Sequence, residues 1–207
     1  MEPVPLLMRI IYLHGFASGP ASKKAAFFRE RMLSLEVPDL AAGDFENLTI
    51  SGQLELIGDL AGGEQISLIG SSLGGYLAAL YAARHPEAAR LVLMAPAFGF
   101  ARRWAAAPEA ENWRKAGFLD VYHYGEKRNR RLSYAFIEDA FRYEDFPDFK
   151  QPALVFHGIR DDVVPARFSS EFAATHPNAR LHLLDSDHEL IDVLEIIWQG
   201  AESFLLP

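Results

Sequence analysis

The sequence predicts an α/β fold, a three-layer sandwich with a mostly parallel central sheet and helices on both faces. Three observations carry this. Short apolar runs without polar alternation recur along the chain, as in strands buried on both faces. Between them, apolar residues return at helical spacing. At Gly70-x-Ser72-x-Gly74 a strand-like run passes abruptly into a helix-like one, the spacing of a nucleophile elbow.

Ile10-Ile11-Tyr12-Leu13 ends at His14-Gly15 and reads as a buried strand. Pro20 and Ser22 punctuate the start of a helix with Ala25, Phe28, Met32 and Leu35 as its stripe. Residues 37–40 form a weak strand that Pro38 places near an edge. Ile50, Leu54, Ile57 and Ala61 mark a second helix, closed by Gly62-Gly63. The strand 66–69 leads into Ser72. Leu73, Leu77, Leu80 and Tyr81 then define a helix that stops near His85-Pro86. Leu91-Val92-Leu93-Met94 is the next strand.

Regularity breaks over 98–150, a segment rich in Trp, Tyr and Phe. Within it, 119–124 and 131–134 can pair as a hairpin around 125–130, and a short helix over about 134–141 follows. The alternation resumes with Ala153-Leu154-Val155-Phe156, a helix over 166–174 and a strand over 180–184. A final helix buries Leu190, Leu194, Ile197, Ala201 and Phe204.

The 207 residues, half of them hydrophobic, suit one domain, 1–207. The net charge of -8 argues against a nucleic-acid partner. The densest basic cluster, Arg128-Asn129-Arg130-Arg131, is flanked by Glu126 and Glu138 and reads as a solvated turn. There is no cysteine, which excludes disulfides, zinc thiolates and a cysteine nucleophile. The apolar stretch 4–13 is interrupted by Arg9 and lacks a basic leader, so no signal peptide is expected. No run reaches the length of a membrane span, and a cytoplasmic location is expected.

In a parallel sheet, ligands bind at the carboxyl ends of the strands. His14-Gly15-Phe16, Ser72 and the turn after Phe156 all fall there. A serine hydroxyl becomes a nucleophile when a base takes its proton, and the base needs an orienting acid. Asp161 lies on the loop His157-Gly158-Ile159-Arg160-Asp161-Asp162, anchored by Val164-Pro165, and is preferred to Asp162, which suits helix capping. The base is His188, in Asp187-His188-Glu189-Leu190 after the last strand. His157 ends a strand and is expected to hydrogen-bond loop backbone. Ser71 occupies a variable position of the motif and is read as structural. No spacing of histidines and carboxylates suggests a metal site.

The order Ser72, Asp161, His188, with the elbow and the His-Gly turn, resembles the α/β-hydrolase superfamily. Within it, His14-Gly15-Phe16-Ala17-Ser18-Gly19-Pro20 resembles the small bacterial YqiA-type esterases. The resemblance implies that 98–150 is a cap insertion. The chain departs from that superfamily in one respect: the two antiparallel strands that open the full fold are expected to be missing, leaving about six strands rather than eight. The resemblance further implies an oxyanion hole formed by the backbone N–H groups of Phe16 and Leu73. The expected activity is hydrolysis of a small-molecule acyl ester or thioester through an acyl-enzyme on Ser72, with no cofactor and no metal. An amidase, a lyase or haloperoxidase, and a slow-turnover small-ligand receptor on the same fold stay open.

Overall fold

Alternate residues of each central strand face opposite layers, and both layers are apolar. The computed structural model describes residues 9–32 and 34–206, so residues 4–8 of the stretch judged for a signal peptide lie outside it. Six strands form one sheet: β1 (Arg9–Leu13), β2 (Leu35–Glu36), β3 (Ile66–Ser71), β4 (Ala88–Met94), β7 (Ala153–Gly158) and β8 (Ala179–Leu184). Their order is β2-β1-β3-β4-β7-β8, and every pairing is parallel. On one face Ile11, Leu13, Leu68, Leu91, Leu93 and Val155 pack beneath α2 (Ile50–Ala61), α3 (Leu73–Arg84) and α7 (Arg167–Thr175). On the other, Ile10, Tyr12, Ile69, Val92, Met94, Leu154 and Phe156 meet α1 (Lys23–Arg31) and α8 (Leu194–Leu205). The chain turns back between β1 and β3, where Leu13 pairs with Gly70, so the carboxyl ends of these two strands adjoin at the switch point.

Helix starts follow side-chain chemistry. The Ser22 hydroxyl accepts the Ala25 N–H, and the Thr49 hydroxyl accepts the Gly52 N–H, capping α1 and α2. Gly62 closes α2 in the left-handed region.

Four expectations need correction. The edge strand is Leu35–Glu36, not 37–40, because Pro38 has no N–H to give the ladder. The segment 98–150 holds two short helices that spacing did not reveal, α4 (Phe100–Ala105) and α5 (Ala110–Ala116). The basic cluster lies on a strand, not a turn: β5 (Phe118–His123) pairs antiparallel with β6 (Arg128–Ser133), and Glu126 forms ion pairs with Arg128 and Arg130. The last helix begins only at Leu194, since Leu190 adopts a left-handed conformation and a 3-10 turn, Ile191–Val193, intervenes.

The segment 98–150 is joined to the rest of the chain through a shared core. Phe98, Trp113, Leu132, Phe136 and Phe149 are buried in the same cluster as α2 and α3. The short helix α6 (Ala135–Ala140) is tied to α2 where Asp139 accepts the Ser51 hydroxyl at 2.7 Å and the Ser51 N–H at 2.7 Å. The Tyr76 hydroxyl of α3 donates to the Glu144 carbonyl at 2.9 Å. Among the described residues, no helix is long and apolar enough to cross a membrane.

Candidate active site

The turn from β3 to α3 is set by sterics. A side chain at Gly70 would place its Cβ 2.3 Å from the Gly74 carbonyl oxygen, and one at Gly74 would lie 2.0 Å from the Leu13 oxygen. Only glycine allows that approach. Ser72 between them takes φ 53° and ψ -117°, a conformation that costs a non-glycine residue about 1–3 kcal/mol. Its backbone is held against that strain. The Ser72 N–H donates to the Met94 carbonyl at 2.8 Å, and its own carbonyl accepts N–H groups of Gly75, Tyr76 and Ala97 at 2.9, 3.1 and 3.0 Å.

Gly158, the last residue of β7, brings two loops together. A Cβ there would sit 2.4 Å from the carbonyl oxygens of Ser186 and Asp187, so any larger residue would push the loop after β8 away. His188 on that loop faces both partners. Its Nδ1–H donates to Asp161 Oδ2 at 2.7 Å, and its Nε2 accepts the Ser72 hydroxyl at 3.1 Å. The Asp161 side chain is fully buried. Its Oδ1 accepts the N–H groups of Val163 at 2.9 Å and Val164 at 2.7 Å. Burial alone would raise the Asp161 pKa, but hydrogen bonds from His157, His188 and the Val164 N–H outweigh it and hold the carboxyl well below its usual range. Asp162 is exposed and caps no helix; the N-cap position of α7 is Ala166.

Two contributors escaped the sequence reading. His157 does reach loop backbone, at the Val164 carbonyl, 2.8 Å away, but its Nε2 also lies 3.1 Å from Asp161 Oδ2. With two acceptors before it, Nε2 carries the proton, and Nδ1 accepts the Ser169 hydroxyl at 2.7 Å. Asp161 therefore receives donors from two histidines. The spacing His157-x-x-x-Asp161 could have suggested it. The second is Lys24 on α1. Its buried ammonium donates to the Glu189 carbonyl at 2.8 Å, one residue past His188, and burial lowers its pKa against the pull of Glu189. A lysine beside Ala25 on the buried stripe was the available signal.

The loop after β1 brings Phe16 beside the elbow. Gly15 has an ordinary backbone conformation, and the left-handed residue of that turn is Ala17, at φ 50°. Neither the Phe16 nor the Leu73 backbone N–H has a protein acceptor among the described residues. The Phe16 ring contacts Trp104 edge-on at 4.9 Å and meets Phe136 at 5.7 Å and Phe45 at 5.5 Å, so the inserted segment packs directly on this loop. No group of three or more metal-ligating side chains occurs among the described residues.

This sheet, with its strand–turn–helix elbow, is that of the α/β-hydrolase superfamily. The structure of mouse alpha/beta hydrolase domain-containing protein 10 shares the fold with a TM-score of 0.79 at 21% identity, covering 95% of this chain and 88% of that one. In sequence, the chain is 28% identical over 226 residues to the 2-hydroxymuconate semialdehyde hydrolase of Pseudomonas putida, covering 88% of this chain and 79% of the relative. It is also 28% identical over 213 residues to the mitochondrial palmitoyl-protein thioesterase ABHD10 of Bos taurus, covering 90% and 69%. The chain belongs to the uncharacterised protein family UPF0227, whose family model matches residues 9–205.

Proposed function

We propose that this chain is a serine hydrolase that cleaves carboxylic esters through an acyl-enzyme. The observation that carries the reading is the continuous line from the Ser72 hydroxyl through His188, at 3.1 Å, to Asp161, at 2.7 Å. As Ser72 Oγ bonds to the ester carbonyl carbon, its proton passes to His188 Nε2. The carbonyl oxygen becomes an oxyanion that meets the Phe16 and Leu73 N–H groups, each worth about 3 kcal/mol in comparable sites. The C–O bond to the alcohol then breaks, and His188 returns the proton to the departing oxygen. Water repeats the sequence on the acyl-enzyme, releasing the acid and restoring Ser72. Asp161 keeps the His188 proton on Nδ1 and stabilises the imidazolium.

The hydrolase names of the relatives support this class of reaction. A fluorophosphonate probe tests it. The label is expected on the Ser72 peptide and absent in Ser72→Ala. A panel of p-nitrophenyl esters and acyl thioesters of graded length then separates ester from thioester preference. A folded chain whose Ser72 resists the probe would sink the reading, and labelling without turnover would point to a slow receptor.

Donation from His157 makes it a positioning residue for Asp161. His157→Leu is expected to lower kcat/KM about tenfold, the effect of one buried hydrogen bond. With one donor fewer, the carboxylate pulls harder on the His188 N–H and stabilises the imidazolium. The acid limb of the pH profile therefore moves to higher pH. His157→Gln, which keeps an N–H near Nε2, is expected to restore both readings. A Leu variant with an unchanged profile would leave His157 a packing residue.

We read 98–150 as a cap that shapes the acyl site. Trp104→Ala and Phe136→Ala, which remove rings lying against Phe16, are expected to change the kcat/KM ratio of short to longer esters. Tyr122 is exposed and meets the Tyr124 ring edge-on, so Tyr122→Ala is expected to leave the ratio alone. Equal shifts for both esters in the first two variants would make the segment purely structural.

A further inference from the structure

Lys24 stands where folding alone argues against a lysine. It is the second residue of α1, and the partial positive charge at a helix N-terminus repels a cation. It is also buried, 9% exposed, and an ammonium loses its hydration there. A charge needed only for solubility would sit on the surface, as the neighbouring Lys23 does. Burial works against the charge of Lys24, and Glu189, then Asp187 and Asp161, offset part of that. The closest link is to backbone. Nζ donates to the Glu189 carbonyl at 2.8 Å, across 165 positions of sequence. Glu189 Oε2 is farther, at 3.7 Å, on a side chain largely open to water, which screens it. Sequences break local rules in this way chiefly where function demands it.

Glu189 directly follows His188, on the loop after β8. Asp187 and Glu189 are exposed. Asp187 Oδ1 accepts the Glu189 N–H at 2.9 Å and the Leu190 N–H at 3.3 Å, which shapes the turn but ties it only to itself. Its placement against Ser72 and Asp161 comes from outside the loop. Two residues before His188, the Ser186 carbonyl accepts the Arg160 N–H at 3.0 Å, from the loop that bears Asp161. One residue after it, the Glu189 carbonyl takes the Lys24 ammonium. Leu190 beyond is buried, but apolar packing is non-directional and does not set the angle of the ring. Helix α1 gives the ammonium a fixed origin. Phe28, one turn on from Lys24, is fully buried, with its ring 5.9 Å from Tyr12 of β1 and 6.1 Å from Trp198 of α8.

We propose that Lys24 is a positioning residue: its ammonium ties the loop after β8 to α1 and so holds His188 in line between Ser72 and Asp161. This rests on the reading of Ser72 and His188 as nucleophile and base. His188 serves both the formation and the hydrolysis of the acyl-enzyme, so a misplaced ring slows both steps by a similar factor. The rate kcat then falls. KM depends on substrate binding and on the ratio of the two steps, and it stays in place.

Lys24→Met keeps the length of the stem and removes the ammonium. With p-nitrophenyl acetate it is expected to lower kcat about thirtyfold, the effect of one charge-assisted hydrogen bond, with KM within about twofold. The melting temperature is expected to hold or rise, because a buried cation at a helix N-terminus has gone. Lys24→Arg, which keeps the charge and N–H donors, is expected to recover part of the rate. A kcat for Lys24→Met within about threefold of wild type overturns the inference. So does a larger fall that comes with a lower melting temperature and no recovery in Lys24→Arg, the behaviour of a packing residue.

Backbone hydrogen exchange gives a reading independent of turnover. In Lys24→Met the amides of residues 187–190 are expected to exchange faster, with α1 unchanged. Faster exchange in a chain whose wild type hydrolyses no ester would sink the esterase reading alone and leave the tether standing. Unchanged exchange overturns the tether even if esters are turned over.

Discussion

Ser72→Ala is expected to lower kcat by about 10⁶, the usual cost of losing a triad nucleophile, with substrate binding largely kept. The expectation follows from the elbow. Ser72 alone combines a left-handed backbone, a hydroxyl 3.1 Å from His188 Nε2 and a position at the head of α3. Its neighbour Ser71 is buried at the end of β3, 3% exposed, and Ser71→Ala is expected to retain a substantial part of the activity. Turnover of p-nitrophenyl acetate checks both, with circular dichroism to confirm folding. A dead Ser71→Ala beside an active Ser72→Ala would move the nucleophile by one residue and break the elbow assignment.

Asp161→Asn is expected to lower kcat by about 10⁴. The asparagine carbonyl can still accept the Val163 and Val164 N–H groups, but this aims its amide nitrogen at both His157 and His188. An N–H facing His188 Nδ1 favours the tautomer with the proton on Nε2, which cannot accept the Ser72 proton. Facing His157 Nε2–H it sets donor against donor in a buried site, so a loss of thermal stability is expected with the loss of rate. Asp162→Asn lies on the exposed surface and is expected to do neither. Rates and melting temperatures of the two variants decide it, and the reverse ranking would reassign the acid.

The strands other than the edge strand β2, the elbow and the chain order of Ser72, Asp161 and His188 were legible because each is a local signal. Apolar runs mark strands buried on both faces, Gly70 and Gly74 mark the close approaches, and loops at strand ends mark the rim. The structure brings Ser72, Asp161 and His188 within hydrogen-bond reach of one another. What escaped depends on distant contacts. Helices α4 and α5 are only 6 and 7 residues long, too short for a helical period to register, and Gly99 and Gly117 bound them with left-handed turns. Arg131 sits on a strand because its guanidinium lies over the Phe118 ring, a pairing that only the hairpin creates. The second hydrogen bond of His157 was missed because its spacing to Asp161 becomes a contact only once the loop folds back on Val164.

The shared interior of segment 98–150 and the rest of the chain limits how this scaffold can diversify. A lid that rests on a rim can be exchanged as a module, and the scaffold beneath keeps its fold. Here Phe136, Trp113 and Leu132 share one interior with α2 and α3, so replacing the segment would strip part of the interior that steadies the helix behind Ser72. On the proposed reading of the site, new selectivity is more accessible through single side chains at the Phe16 junction than through recombination of whole segments. Selection for a new substrate and selection for a stable fold then act on the same residues.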